Sequence, residues 1–176
     1  MTVRNLFLLS FLIIVSCKES EARRPVKHIS SSALEKTVRI NKRLFEKEQE
    51  QIQQYIALDS MNTYINSNKG FWYAYIEKNE KSMQPVKGNM VVFEQEIEAL
   101  DGTILYSKDA IGLRNYVVDK EHIIKGIKEG IKIMREGEKV KFLFSSFVAY
   151  RLTGDLEQIR GNEPIVSTIR LIKINN

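Results

Sequence analysis

The stretch IIKGIKEGIKIMREGEKVKFLFSSFVAY, Ile123 to Tyr150, changes its period partway along. Ile124, Ile127, Ile131 and Met134 recur at helical i, i+3, i+7 spacing, which predicts a short amphipathic helix stopped near Gly137. Beyond it Val140, Phe142 and Phe144 alternate with Lys139 and Lys141, the period of a half-exposed strand. A short apolar-striped helix running directly into such a strand has its stripe covered by a sheet.

Working outward, the sheet has enough strands to do this. Phe71–Ile76 is apolar on both parities, with Phe71, Tyr73 and Tyr75 on one face and Trp72, Ala74 and Ile76 on the other, so both of its faces are buried. Glu77–Lys87 is a polar connection containing Pro85. In Met90–Ala99 the residues Val91, Phe93 and Ile97 oppose Glu94, Glu96 and Glu98, giving one core face and one wet face. Asp101-Gly102 is a tight-turn signal that returns the chain through Ile104, Leu105 and Tyr106. Ser107–Arg114 reads as a loop, Asn115–Val118 as a short strand, and Asp119 as the N-cap of the central helix. Phe147–Asn162 is the longest irregular segment, and Ile165–Ile174 is a final alternating strand. Strands, one short helix, then strands make an antiparallel α+β domain over 70–176.

Before it lies a prelude, 33–69. Leu34, Val38, Phe45, Ile52 and Ile56 recur at approximate helical spacing through Ala33–Ala57, so a helix with a narrow apolar stripe is expected. Packing on the domain behind it, self-association and contact with a partner are all compatible with that stripe. Residues 17–32 hold Pro25 and Ser30-Ser31-Ser32 without periodicity and read as a linker.

The first sixteen residues read as a signal peptide. One basic residue, Arg4, precedes an apolar run from Leu6 to Val15, too short for the about 20 residues a membrane-spanning helix needs. Ile14-Val15-Ser16-Cys17 resembles the bacterial lipobox, which would make Cys17 the lipidated residue. The other reading is an ordinary secretory peptide that happens to end in a cysteine. Cys17 is the only cysteine in the chain, so no disulfide can form within one molecule and the thiol is left for another use. Lys18 is not the aspartate that retains enterobacterial lipoproteins at the inner membrane, which favours the outer membrane, facing the periplasm.

At 176 residues, 43% hydrophobic and 28% charged, the chain has the composition of one folded domain with appendages, not of a disordered polymer. Removing residues 1–16 deletes Arg4 and no acidic residue, lowering the formal charge of +5 by one. The cluster Arg23, Arg24 and Lys27 reads as a solvated tether or as a contact for anionic headgroups. Aromatic and basic residues are not interleaved along one face, so no nucleic-acid partner is expected. With only His28 and His122, no Ser/His/Asp grouping supports a hydrolase.

Gly126, Glu129, Gly130, Met134, Gly137, Glu138 and Lys139, followed by Ala149-Tyr150, form a pattern that resembles the FKBP-type peptidyl-prolyl isomerases. Together with the lipobox, the helical prelude, GFWYAY and YVVD, the whole chain resembles the gliding-motility FKBP-type lipoproteins of Bacteroidetes. The resemblance implies an FKBP-like antiparallel sheet wrapped on one short helix, no cofactor, no metal, and proline-containing polypeptide clients. It implies a cell-envelope location, membrane attachment through lipid on Cys17, and a place in an envelope or motility complex.

The resemblance also implies roles for particular residues. Tyr150 matches the tyrosine whose hydroxyl holds the substrate carbonyl, and Ile124 the aliphatic residue whose backbone N–H donates to the ligand. Ile127 stands for the pocket-floor tryptophan, Leu105 for an aromatic, Tyr106 for the aspartate after it. The alignment there leaves open whether Tyr106 replaces the lost ring. Glu94 and Leu171 stand for aromatics of the first and last strands, Arg151 for a glycine after Ala-Tyr, and Ser146 for a proline. Four aromatic walls are lost or shrunk, which predicts weak activity. Three functions stay open on these residues: an isomerase that assists folding, a non-catalytic binding module, and a holding chaperone with an exposed apolar patch.

Overall fold

A computed structural model describes residues 31–175; the signal peptide, Cys17 and the basic cluster lie outside them. The elements are α1 (Ser31–Leu58), β1 (Ile65–Asn66), β2 (Phe71–Glu77), β3 (Met90–Ala99), β4 (Ile104–Tyr106), α2 (Lys108–Ile111), β5 (Arg114–Val117), α3 (Lys125–Ile131), β6 (Lys139–Phe144) and β7 (Ile165–Asn175). Seven antiparallel strands form one sheet in the order β1-β2-β6-β7-β3-β4, with β5 also pairing β3. The α+β class and the short helix Lys125–Ile131 against the sheet, both expected from the sequence, are what the chain builds.

Period-two alternation sends two different cores to the two faces. On one face Phe71, Phe93, Phe142, Phe144, Ile165, Ile169 and Leu171 pack against Ile127, Ile131 and Met134. On the other, Trp72 pairs with Leu143 and Leu143 with Val166 across three strands, and Ile52 of α1 lies on that row with Tyr55 and Ile56. Both faces of β2 are therefore covered, and Trp72 is core. The last turns of α1 pack in cis through Ile52, Tyr55 and Ile56, while Leu34, Val38 and Phe45 earlier in the helix stay exposed.

The glycines of α3 explain its close seat on the sheet. A Cβ on Gly126 would lie 2.6 Å from the Phe144 ring, and one on Gly130 would lie 2.9 Å from the Phe142 ring. Those two rings are themselves stacked 5.2 Å apart. Only hydrogen atoms at positions 126 and 130 leave room for both rings beneath the helix.

Two sequence expectations need correcting. Asp119 does not cap the helix: α3 begins six residues later, with Ile124 at the N-cap and no side-chain cap bond. Asp119 instead sits in a turn with φ 58° and pairs with Lys128 of α3 at 3.3 Å and with Lys132, just past its end, at 3.4 Å. Burial raises its pKa, but the two lysines outweigh that and hold the carboxyl below its usual range. Second, the supposed loop 107–114 contains the single-turn helix α2, capped by the Ser107 hydroxyl, which accepts the Ala110 N–H. Met134 lies beyond the end of α3 yet is fully buried, so the apolar stripe runs past the helix that it predicted.

Candidate functional site

The start of α3 and the turn after β6 are bonded to each other. The first N–H groups of a helix lack partners inside it; here the Gly126 N–H donates to the Val148 carbonyl at 2.7 Å. That outside carbonyl does for this helix what a capping side chain does elsewhere. It also brings Ile124 and Tyr150, each two residues from the bond, to one rim of the core.

Ile124 has extended backbone angles, φ −56° and ψ 143°. Its carbonyl accepts the Lys128 N–H at 3.1 Å, while its own N–H has no acceptor among the described residues. Tyr150 is half-buried against the same apolar cluster as Ile124. Among the described residues its hydroxyl has no hydrogen-bond partner, and it is not sealed from solvent. Burial pushes the Tyr150 pKa up; the Arg114 cation pulls it back and the Asp155 charge adds to the rise. The hydroxyl therefore stays protonated across physiological pH. Ile127, 1% exposed, is buried in the apolar cluster against which both Ile124 and Tyr150 pack.

Leu105 and Tyr106 pack on the same cluster. A register shift between Ile97 and Glu98 opposite β4 re-aims the strand, as a bulge does, so that adjacent residues both reach the core. Tyr106, opposite Ile97, puts an aromatic ring beside Leu105. Its hydroxyl donates to Asp155 Oδ2 at 2.6 Å and Glu157 Oε2 at 3.2 Å, and the Asp155 bond leads in raising the tyrosine pKa. Burial works to raise the Asp155 pKa, but the Tyr106 hydroxyl and the N–H groups of Glu157 and Ile159 more than offset it and keep the carboxylate ionised.

The segment 151–162 is closed rather than loose. The Asn162 N–H donates to the Arg151 carbonyl at 2.7 Å, the Asp155 N–H donates to the Ile159 carbonyl at 3.1 Å, and Ile159 is buried in the core. Arg151 adopts φ 56°, a left-handed conformation in which glycine is free of strain. This is the position where the resemblance implies glycine. The guanidinium lies over the Phe147 ring at 5.6 Å.

Three polar residues on the sheet face that packs against α3 escaped the sequence reading. Arg114, opposite Phe93 in the β3–β5 register, donates from Nη1 to Gln95 Oε1 at 3.0 Å, and Gln95 Nε2 donates to Ser167 Oγ at 3.0 Å. Gln95 and Ser167 are fully buried. The signal was present: Gln95 shares the parity of Val91, Phe93 and Ile97. Glu94, assigned to a lost pocket aromatic, belongs to the opposite parity, and a one-residue slip in a strand moves a side chain to the other face. Leu171 is on the same face as α3 but is wholly enclosed opposite Phe93, so it packs the core.

The hallmark residues near the helix prove to be scaffold. Glu129 bridges Lys69 and Lys132, each at 2.8 Å. Buried Glu138 accepts the Asn79 N–H at 3.0 Å and the Arg135 N–H at 2.8 Å. Ile124 N–H and Tyr150 O–H are thus two donors without a partner among the described residues, both at the edge of one apolar cluster.

The family model for FKBP-type peptidyl-prolyl cis-trans isomerase matches residues 81–172, just over half the chain. The "Probable FKBP-type peptidyl-prolyl cis-trans isomerase FkpA" of Neisseria meningitidis serogroup B is 32% identical over 99 residues, a stretch that covers 56% of this chain and 36% of that relative. The chain thus aligns with little more than a third of this curated relative's length. A crystal structure titled as a peptidyl-prolyl cis-trans isomerase from Pseudomonas syringae pv. tomato superposes with a TM-score of 0.63 at 18% identity, over 77% of this chain and 96% of that one. At that identity the superposition speaks for the fold. With the family match over residues 81–172 beside it, the chain belongs to the FKBP-type peptidyl-prolyl cis-trans isomerase family.

Proposed function

We propose that the chain catalyses cis–trans isomerisation of prolyl bonds in exported polypeptides, with Ile124 and Tyr150 gripping the substrate. The observation that carries this is the pair of donors without a partner among the described residues, Ile124 N–H and Tyr150 O–H, fixed to one rim by the Gly126–Val148 bond. Prolyl isomerisation breaks no covalent bond, and its barrier of about 18–20 kcal/mol is amide resonance. Two fixed donors hold carbonyls of the substrate chain, while the apolar floor at Ile127 and the flanking Leu105 and Tyr106 strip water from the planar, polar ground state. The twisted imide, with less charge on its carbonyl oxygen, loses less in that setting. With isoleucine as floor and a polar Arg114–Gln95–Ser167 chain nearby, enclosure is incomplete and acceleration is weak.

The test is NMR exchange spectroscopy on peptides that vary the residue before proline. Faster cis–trans exchange with added protein supports the isomerase. No acceleration over the panel, with peptide-induced shifts at Ile124 and Tyr150, would replace it by the second reading, a non-catalytic binding module of an envelope complex. The polar chain through Gln95 is the observation that favours this alternative.

The same proposal places the chain at the cell envelope, held by lipid on Cys17, at the outer membrane facing the periplasm. Support is the sequence Ile14-Val15-Ser16-Cys17. Cys17→Ser should move the protein from the membrane to the soluble fraction, and unchanged fractionation would contradict the anchor. A role in gliding motility rests on the likeness of the whole chain to that lipoprotein group, and deletion with a gliding assay tests it.

A further inference from the structure

The N-terminal helix reaches into the turn that carries Tyr150. Glu48 of α1 and Ser146 after β6 are each only 7% exposed. The Ser146 N–H donates to Glu48 Oε1, and the Ser146 hydroxyl donates to Glu48 Oε2 at 2.9 Å, across 98 residues of sequence. Burying a carboxylate is unfavourable unless its oxygens are bonded. Apolar cover for the outer face already comes from Ile52, Tyr55 and Ile56 of the same helix. A carboxylate here with both oxygens on one residue does something that an alanine or leucine would not.

Ser146 passes the restraint on. Its carbonyl accepts the Ala149 N–H at 3.1 Å and the Arg151 N–H at 2.8 Å, the residues on either side of Tyr150. Every polar group of Ser146 is thus committed, its N–H and hydroxyl to α1 and its carbonyl to the turn. We infer that Glu48 is a positioning residue that, through Ser146, fixes the turn presenting the Tyr150 hydroxyl, so that docking of α1 on the sheet sets the competence of the site. The inference rests on the proposed function for its catalytic consequence, but not for its structural one.

The test uses the full chain with Glu48→Ala, Glu48→Gln, Ser146→Ala and the Glu48→Ala/Ser146→Ala pair. Amide hydrogen exchange is read at Ala149 and Arg151, with Phe142 and Leu143 of β6 as internal references, beside the prolyl exchange rate. Glu48→Ala should speed exchange at Ala149 and Arg151 by about tenfold while β6 is unchanged, and lower isomerisation by about tenfold through misplaced Tyr150. Glu48→Gln, which keeps an acceptor for the Ser146 N–H, should restore both. The double variant should be no worse than Glu48→Ala, because neighbours in one network do not add. A contribution to stability alone would lower the melting temperature and leave the isomerisation rate intact.

Unchanged exchange at Ala149 and Arg151 in Glu48→Ala overturns the inference, and so does a loosened turn with full isomerase activity. If the unaltered chain isomerises nothing, the proposed function fails and the exchange measurement alone decides the positioning. Should Glu48→Ala not fold, Glu48→Leu fills the space without an acceptor and carries the same readouts.

Discussion

The Gly126 N–H lies 2.7 Å from the Val148 carbonyl oxygen, and through this one bond the helix start and the tyrosine turn become a single unit. It supplies the missing cap of α3 and sets Ile124 and Tyr150 on the same rim. The site therefore depends on how closely the helix can approach β6.

That approach gives the first prediction. Alanine is the better helix former, favoured over glycine by about 1 kcal/mol, yet Gly126→Ala places a Cβ 2.6 Å from the Phe144 ring. Overpacking of this kind costs about 1–3 kcal/mol, so Gly126→Ala should lower stability in urea denaturation. Adding Phe144→Leu should recover part of the loss. A stabilised Gly126→Ala protein would show that the helix does not need its close seat.

Arg151 is expected to tolerate glycine. The left-handed φ of 56° costs a non-glycine residue about 1–2 kcal/mol, and glycine removes that strain while giving up the contact with Phe147 and gaining chain entropy in the unfolded state. The net change for Arg151→Gly should stay within about 1 kcal/mol. Arg151→Val, β-branched in a left-handed position, should cost more, as urea midpoints would report.

The closed segment after Tyr150 should open when Gly161 acquires a side chain. A Cβ there would meet the Leu152 carbonyl oxygen at 1.9 Å, and backbone cannot yield as a flexible side chain can. Gly161→Ala should cost about 2 kcal/mol and raise protease cleavage within 151–162, with Tyr106 losing its hold on Asp155. An intact segment by limited proteolysis would argue that its bonds close independently of that contact.

The buried carboxylate gives a pH prediction. Burial raises the pKa of Glu48 above 4.5, against the lowering effect of its bonds from Ser146. A raised carboxyl pKa contributes stability that is complete below the unfolded value and lost as pH rises through the folded one. Glu48→Gln, which cannot ionise, should therefore gain melting temperature over the unaltered chain at neutral pH, and the gain should vanish as pH falls toward 4.5. A gap that widens on acidification would reverse the sign and show the ionised form to be the favoured one.

How far the sequence reached depends on the kind of residue. Alternation in Met90–Ala99 and Ile165–Ile174 reported the sheet, because side-chain parity is local and period two is hard to mimic, and the run Phe71–Ile76, apolar on both parities, reported a strand covered on both faces. The spacing of Ile124, Ile127 and Ile131 reported α3 for the same reason. Its start was misread because the cap is the carbonyl of Val148, twenty-two residues away, and no local signal marks a partner supplied by the backbone. Gln95 stood in plain view on an apolar parity, but its partners Arg114 and Ser167 come from two other strands. Glu48 resembled any charge on a solvated helix until α1 was placed on the sheet.

Whether Tyr150 and Ile124 hold the substrate is decided by comparing the unaltered chain with Tyr150→Phe by NMR exchange spectroscopy on a proline peptide, following the Ile124 amide signal throughout. Accelerated exchange is expected with the unaltered chain, together with a peptide-induced shift at Ile124 and a rate about 10-fold lower in the variant, in line with loss of one preorganised hydrogen bond. Equal acceleration by both proteins, or acceleration with no response at Ile124, would contradict that role of the two residues and place the isomerase site elsewhere on the fold.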